Sequence, residues 1–188
     1  LRSLMAKNCV MMPGSFNGLV GRSVANHGFQ ATYISGAAIT GSHGVPDIGL
    51  LGMEHFCSAI SDVYAASKLP IIADADTCFG EGEMCHKTVW EYNKAGAAGL
   101  HLEDQVFPKR CGHLDGKTLI PVQDMVKKVQ ICAQASKDCS DGSFIICART
   151  DAKGVEGIQS TIDRSKAYID AGADMIFPEG LASIEEFQ

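Results

Sequence analysis

The sequence predicts an α/β protein, a parallel (β/α) barrel of which this chain carries about six strands. Three observations predict it. Short apolar runs alternate with longer stretches of helical period, the pattern of a parallel sheet. Three units, "HGFQATYIS", "AGAAGLHLE" and "AGADMIFPE", pass from a glycine through a strand to a polar residue. The intervals Gly28 to Ser35, Gly96 to Glu103 and Gly172 to Glu179 are each seven residues. Finally, the strands end repeatedly in polar side chains, where a barrel keeps its chemistry.

The strand runs, in order, are "CVMMPGSFN", "ATYISG", "LPIIADAD", "GLHLED", "FIICART" and "MIFPEG". Between the fourth and fifth, Met125, Val129 and Cys132 recur at helical spacing. After the fifth, Ile158, Ile162, Ser165 and Ile169 do the same, and both sets predict helices with one buried face. Glycine before a strand suits the left-handed turn that closes the preceding helix. A doubly wound open sheet is the alternative, but "MPGSFNGLVG" does not match the Gly-rich phosphate loop such a sheet carries after its first strand. A closed barrel has eight strands and typically about 250 residues. Residues 1–188 are therefore expected to form a single TIM-type barrel domain lacking its last two βα units.

A net charge of −6 argues against an electrostatic grip on nucleic acid or an anionic membrane. Eight cysteines without a C-x-x-C pair, several inside apolar runs, suit a reducing compartment, cytoplasmic or mitochondrial, better than a disulfide framework. No apolar run is long enough to span a bilayer.

Alternate strand residues point the same way. Asp74 and Asp76, His101 and Glu103, Cys147 and Arg149, Phe177 and Glu179, and Tyr33 and Ser35 each share a face. One pocket at the barrel mouth thus receives four carboxylates, an arginine, a tyrosine and a serine. Converging carboxylates repel unless a cation lies between them, and oxygen donors without a histidine cluster favour Mg²⁺ or Mn²⁺ over zinc. Asp47 in "GVPDIG" is either a fourth metal residue or a turn aspartate. Arg149 either clamps a carboxylate or pairs structurally with Asp151. In "PKRCGHLDGK" the cations Lys109 and Arg110 and the imidazole of His113 surround Cys111, a setting that controls the protonation of a thiol.

The ordered set "IIADADTCFG", "LHLEDQVFPKRCGHLDGK", "ICARTDAKGVEG" and "ADMIFPEG" resembles the isocitrate lyase/phosphoenolpyruvate mutase superfamily, in particular its 2-methylisocitrate lyase branch. The resemblance covers nearly the whole chain. It implies a Mg²⁺-dependent carbon–carbon lyase cleaving a 2-hydroxy tricarboxylate, 2-methylisocitrate, into pyruvate and succinate. It implies metal residues Asp74, Asp76, Asp47 and Glu103, and a carboxylate site at Ser35, Gly36 and Ala37. It implies the proton-donating thiol Cys111 on a mobile loop with Lys109, Arg110, Gly112 and His113, and substrate contacts at Arg149 and Glu179. Tyr33 is the candidate base. The family also implies a homo-oligomer, a tetramer. Cys78 departs from the pattern, standing where relatives usually have glycine. The alternatives are an isocitrate lyase, a dimethylmalate lyase, a non-catalytic truncated relative, and a zinc or redox protein using Cys85–His86 and Cys111–His113. The charge pattern of the loop predicts that residues 108–117 are displaced or disordered until anionic ligands pair with its cations.

Overall fold

The computed structural model describes residues 1–188. Six strands form one sheet: β1 (Gly14–Ser15), β2 (Thr32–Ile34), β3 (Ile71–Asp74), β4 (Gly99–Glu103), β5 (Ile145–Thr150) and β6 (Met175–Pro178). All neighbours are parallel and follow chain order. A doubly wound sheet would reverse order partway, so this is a singly wound barrel wall, open between β6 and β1. The helices α1 (Arg2–Met5), α2 (Gly18–Asn26), α3 (Gly36–Ser42), α4 (Met53–Ser67), α5 (Glu83–Ala95), α6 (Val122–Ser140), α7 (Ile158–Asp170) and α8 (Ile184–Phe187) supply the crossovers and the chain ends. No helix is long and apolar enough to cross a membrane. All eight cysteines are free.

Strand alternation divides the sheet chemically. Ile71, Ala73, Leu100, Leu102, Ile146 and Ala148 join one apolar core with Phe56, Ile60 and Val63 of α4, Val89 and Tyr92 of α5, and Met125, Val129 and Cys132 of α6. Each fully buried large apolar side chain there stabilises the fold by about 1.5–3 kcal/mol. The intervening residues point to the opposite face. Gly28, Gly96 and Gly172 all take positive φ, as the repeat requires.

Two elements differ from expectation. The first apolar run yields only two strand residues, because Pro13 lacks an N–H and its carbonyl instead accepts from Tyr33 N (3.0 Å) and Thr32 Oγ1 (2.7 Å). The helix α7 is present, but the predicted stripe faces outward: Ile158, Ile162 and Ile169 are 36%, 39% and 45% exposed. Its buried face is Thr161, Arg164 and Tyr168. Tyr168 Oη donates to Asp104 Oδ2 (2.7 Å) and Arg164 lies 3.3 Å from the same oxygen, so a polar network rather than an apolar stripe orients the helix.

Candidate functional site

The C-terminal ends of β2 to β6 converge. Register places Asp74 beside His101, Glu103 beside Arg149, and Arg149 beside Phe177. These side chains share the face opposite the helical core, as their spacing predicts. Tyr33 stacks on His101 with ring centroids 5.6 Å apart, and its hydroxyl lies 2.8 Å from His101 Nε2. The Arg149 guanidinium sits 5.6 Å from the Phe177 ring centroid.

Asp74 is held from two sides: Gly36 N donates to Oδ2 and Asp76 N to Oδ1, each at 3.0 Å. A Cβ added to Gly36 would lie 2.7 Å from that Oδ2, so only glycine permits the approach. Ser35 caps α3, its hydroxyl accepting from Ala38 N at 3.4 Å, while Ala37 is exposed. Asp47 comes in from the loop after α3. Its Oδ1, Asp76 Oδ1 and both Glu103 carboxylate oxygens are buried and accept no hydrogen bond.

Lys109 lies among these oxygens. Its ammonium, 2% exposed, is 2.5 Å from Asp47 Oδ1 and 2.8 Å from Asp76 Oδ1, close in charge contact though outside hydrogen-bond geometry. Sequence reasoning gave Lys109 to substrate carboxylates; the structure turns it inward onto protein ones. Arg149 donates from Nε and Nη2 to the two oxygens of Asp151 at 3.0 Å each, the structural pairing allowed by the sequence. It also lies 3.4 Å from Glu103 Oε2 and 3.2 Å from Glu179 Oε2.

Asp47, Asp74, Asp76, Glu103, Asp151 and Glu179 therefore share the site with two cations, Lys109 and Arg149. The imbalance shifts the proton affinities of the buried groups. Burial, then the charge of Asp74, push the Asp76 carboxyl up to about 6 despite Lys109. Burial lifts Glu103 well above the carboxylate range, with Arg149 and Lys109 pulling only partly back. Burial works against the Lys109 ammonium, but Glu103, Asp76 and Asp74 outweigh it and raise its pKa. Oxygens of Asp47, Asp76 and Glu103 that accept no hydrogen bond, beside a fixed Asp74 and with only Lys109 and Arg149 for positive charge, fit a hard divalent cation of the Mg²⁺ type.

The thiol loop packs over this centre. Gln105 clamps Arg110, accepting from its N and donating to its carbonyl, both at 2.9 Å. Lys117 Nζ donates to the Gly112 and Leu114 carbonyls at 2.6 Å. Gly112 lies so close to Arg149 and Glu179 that a Cβ would meet each at 2.5 Å. Cys111, half-buried, immediately precedes it. The repulsion expected to open the loop is relieved because Lys109 leaves it for Asp47 and Asp76. Arg110 and His113 remain exposed and are not brought onto the buried carboxylates.

Sequence reasoning missed Asp104. Fully buried, it accepts from Thr150 Oγ1 (2.7 Å), Asp151 N (3.0 Å) and Tyr168 Oη (2.7 Å), and so holds the strand end that holds Arg149. Its place after Glu103 in "LED" puts it on the other face, the only signal available. Also missed was the use of Gln105 as the loop clamp.

The profile of the phosphoenolpyruvate phosphomutase family matches residues 1–188. The chain is 47% identical to a 2-methylisocitrate lyase of Aeropyrum pernix, covering 100% of this chain and 60% of that protein. A crystal structure of 2,3-dimethylmalate lyase, described as a PEP mutase/isocitrate lyase superfamily member, superposes with a TM-score of 0.91 at 35% identity, covering 98% of this chain and 62% of that one. A phosphonopyruvate hydrolase in complex with oxalate and Mg²⁺ superposes with a TM-score of 0.86 at 28% identity, covering 98% and 63%. The chain thus spans about 60% of the length of the curated relatives it matches. It belongs to the phosphoenolpyruvate phosphomutase family, within the isocitrate lyase/phosphoenolpyruvate mutase superfamily.

Proposed function

We propose that this family member acts as a Mg²⁺-dependent carbon–carbon lyase that cleaves 2-methylisocitrate to pyruvate and succinate. The observation that carries the reading is the buried carboxylate centre, short of cations and roofed by a loop with one thiol. The 47% identity to a 2-methylisocitrate lyase supports the choice of substrate.

Asp47, Asp74, Asp76 and Glu103 would hold the cation, which when bound offsets the charge that develops on the substrate's α-hydroxy carboxylate. Tyr33, in β2 beside Asp74 and Arg149, is the base we assign to the substrate hydroxyl. Burial and the charge of Asp74 push its own pKa up, so a standing tyrosinate is disfavoured. Instead, Tyr33 Oη takes the substrate proton while passing its own to His101 Nε2, 2.8 Å away. Burial lowers the His101 pKa, keeping the imidazole neutral and able to accept. The C–C bond then breaks with its electron pair left on the carbon beside the departing carboxylate. Cys111 gives that carbon its thiol proton. When the loop opens, His101 gives up to solvent the proton it took through Tyr33 and the thiolate takes one up, so both groups return to their starting forms. The closed loop keeps bulk water from quenching the carbanion indiscriminately.

The fit to a 2,3-dimethylmalate lyase favours a second reading in which the substrate lacks the third carboxylate. Comparing kcat/KM on 2-methylisocitrate, isocitrate and 2,3-dimethylmalate separates them. Asp76→Ala is expected to abolish turnover with each. Full activity in excess chelator refutes the metal-dependent reading.

A further inference from the structure

A second convergence of ligand-type groups lies outside the carboxylate centre. Cys78, in the loop after β3, Cys85, in the first turn of α5, and Cys132, in α6, bring their Sγ atoms within 4.8 Å of one another. All three residues are 0% exposed. Cys78 and Cys132, 54 positions apart in sequence, have Sγ atoms 4.0 Å apart. We propose that this cluster is a metal site in which three cysteine sulfurs bind a thiophilic divalent cation of the Zn²⁺ type.

Geometry supports it first. Metal–sulfur bonds of about 2.3 Å place the sulfurs of one sphere about 3.8–4.0 Å apart, and the cluster is already near that spacing. Two backbone carbonyls face the sulfurs, Gly80 O at 3.8 Å from Cys85 Sγ and Cys85 O at 3.9 Å from Cys132 Sγ. One of them supplies the oxygen that completes a four-coordinate sphere. The backbone points the same way. Cys78 adopts φ 70°, a left-handed conformation unfavourable to a residue with a Cβ. A turn fixes it there, with Cys78 N donating to Ala75 O (2.7 Å) and Thr88 Oγ1 to Cys78 O (3.2 Å). Asp76 and Phe79 also take positive φ there, so the loop itself sets the conformation, and it carries the Cys78 sulfur to those of Cys85 and Cys132.

Charge selects the cation. Three thiolates around a divalent ion leave one negative charge, and around a monovalent ion two. The Lys128 ammonium, 2% exposed, donates to Thr77 O at 3.0 Å, next to Cys78, but it also pairs with the exposed Glu81 carboxylate at 2.8 Å and so offsets only part of that charge. In a dry interior the smaller imbalance wins, which favours Zn²⁺ over Cu⁺. Loading exchanges the S–H protons for S–metal bonds, releases them to solvent and changes no oxidation state. Occupancy would tie the loop carrying Asp76 to α5 and α6, yet the site is separate from the proposed lyase centre and is read without any activity.

Cd²⁺ is the probe, because a cadmium–thiolate centre shows a sulfur-to-metal charge-transfer band that an all-oxygen site does not. Reduced, metal-free protein titrated with Cd²⁺ is expected to develop that band to one equivalent, with proton release and displacement by Zn²⁺. The Cys85→Ser/Cys132→Ser variant is expected to bind more than about 100-fold more weakly, since loss of even an outer partner of a metal ligand costs 10–100-fold. Cys111→Ser retains the band. Circular dichroism checks the fold, and Cys132→Ser alone carries the comparison if the double variant does not fold. An unchanged band in the cluster variants, or a band that appears only on unfolding, overturns the proposal.

Discussion

Replacing Lys109 by methionine tests the electrostatics of the carboxylate centre. The ammonium touches Asp47 and Asp76 at 2.5 and 2.8 Å, and only Arg149 otherwise offsets six carboxylates. Methionine keeps most of the length and removes the charge. Breaking a buried ion pair from one side costs about 3–5 kcal/mol. At about 2–4 °C per kcal/mol for a chain of this size, Tm is expected to fall by about 6–20 °C in chelator. Lys109 is one of the groups that hold the Asp76 carboxyl down at about 6, so removing it lifts that carboxyl further. The loss is therefore expected to deepen as pH rises and proton uptake stops replacing the missing charge. Mg²⁺ at 100 times its Kd stabilises a folded protein by about 2.7 kcal/mol, or about 5–11 °C in the wild type. Lys109 contacts oxygens that the cation would use, so the variant is expected to gain more from Mg²⁺ than the wild type does. Differential scanning calorimetry with and without Mg²⁺ reads both effects. Equal Mg²⁺ shifts in the two proteins, or a variant melting within about 2 °C of wild type in chelator, refutes the reasoning.

Cys111→Ser is expected to lower kcat by orders of magnitude with KM little changed, because a hydroxyl is a far poorer acid; a rise in KM with kcat preserved would make Cys111 a binding residue. Asp104→Ala strands Thr150, Tyr168, Arg164 and the Asp151 N–H, and is expected to cost about 3–5 kcal/mol, read as a Tm drop of about 6–20 °C. A drop under about 2 °C means the network is not what holds α7. Limited trypsin digestion of the native protein is expected to cut the loop after exposed Arg110 and not after Lys109, whose side chain is buried; mass spectrometry of the first fragments decides.

The sequence by itself determined the sheet and which residues face its interior. Period-two alternation is a property of the strand backbone, so Asp74, Glu103, Arg149 and Glu179 could be placed on one face without knowing any distance. The Gly28, Gly96 and Gly172 spacing marked three helix-to-strand junctions, because those turns need positive φ wherever they occur in a fold. Only the tertiary structure decided what the long and polar side chains pair with. Lys109 looked like a loop cation, since nothing local shows that Asp47, far upstream, lies beside it. The α7 stripe of isoleucines looked buried, since periodicity reports an apolar face but not what covers it. Arg164 and Tyr168 turn the helix instead, towards an aspartate 60 and 64 residues earlier. Cys78, Cys85 and Cys132 carry no ligand spacing and meet only because a left-handed turn aims one sulfur at two helices. Backbone geometry repeats at short range and is written in local pattern, whereas ion pairs and ligand clusters depend on distances between residues remote in the chain, which folding alone sets.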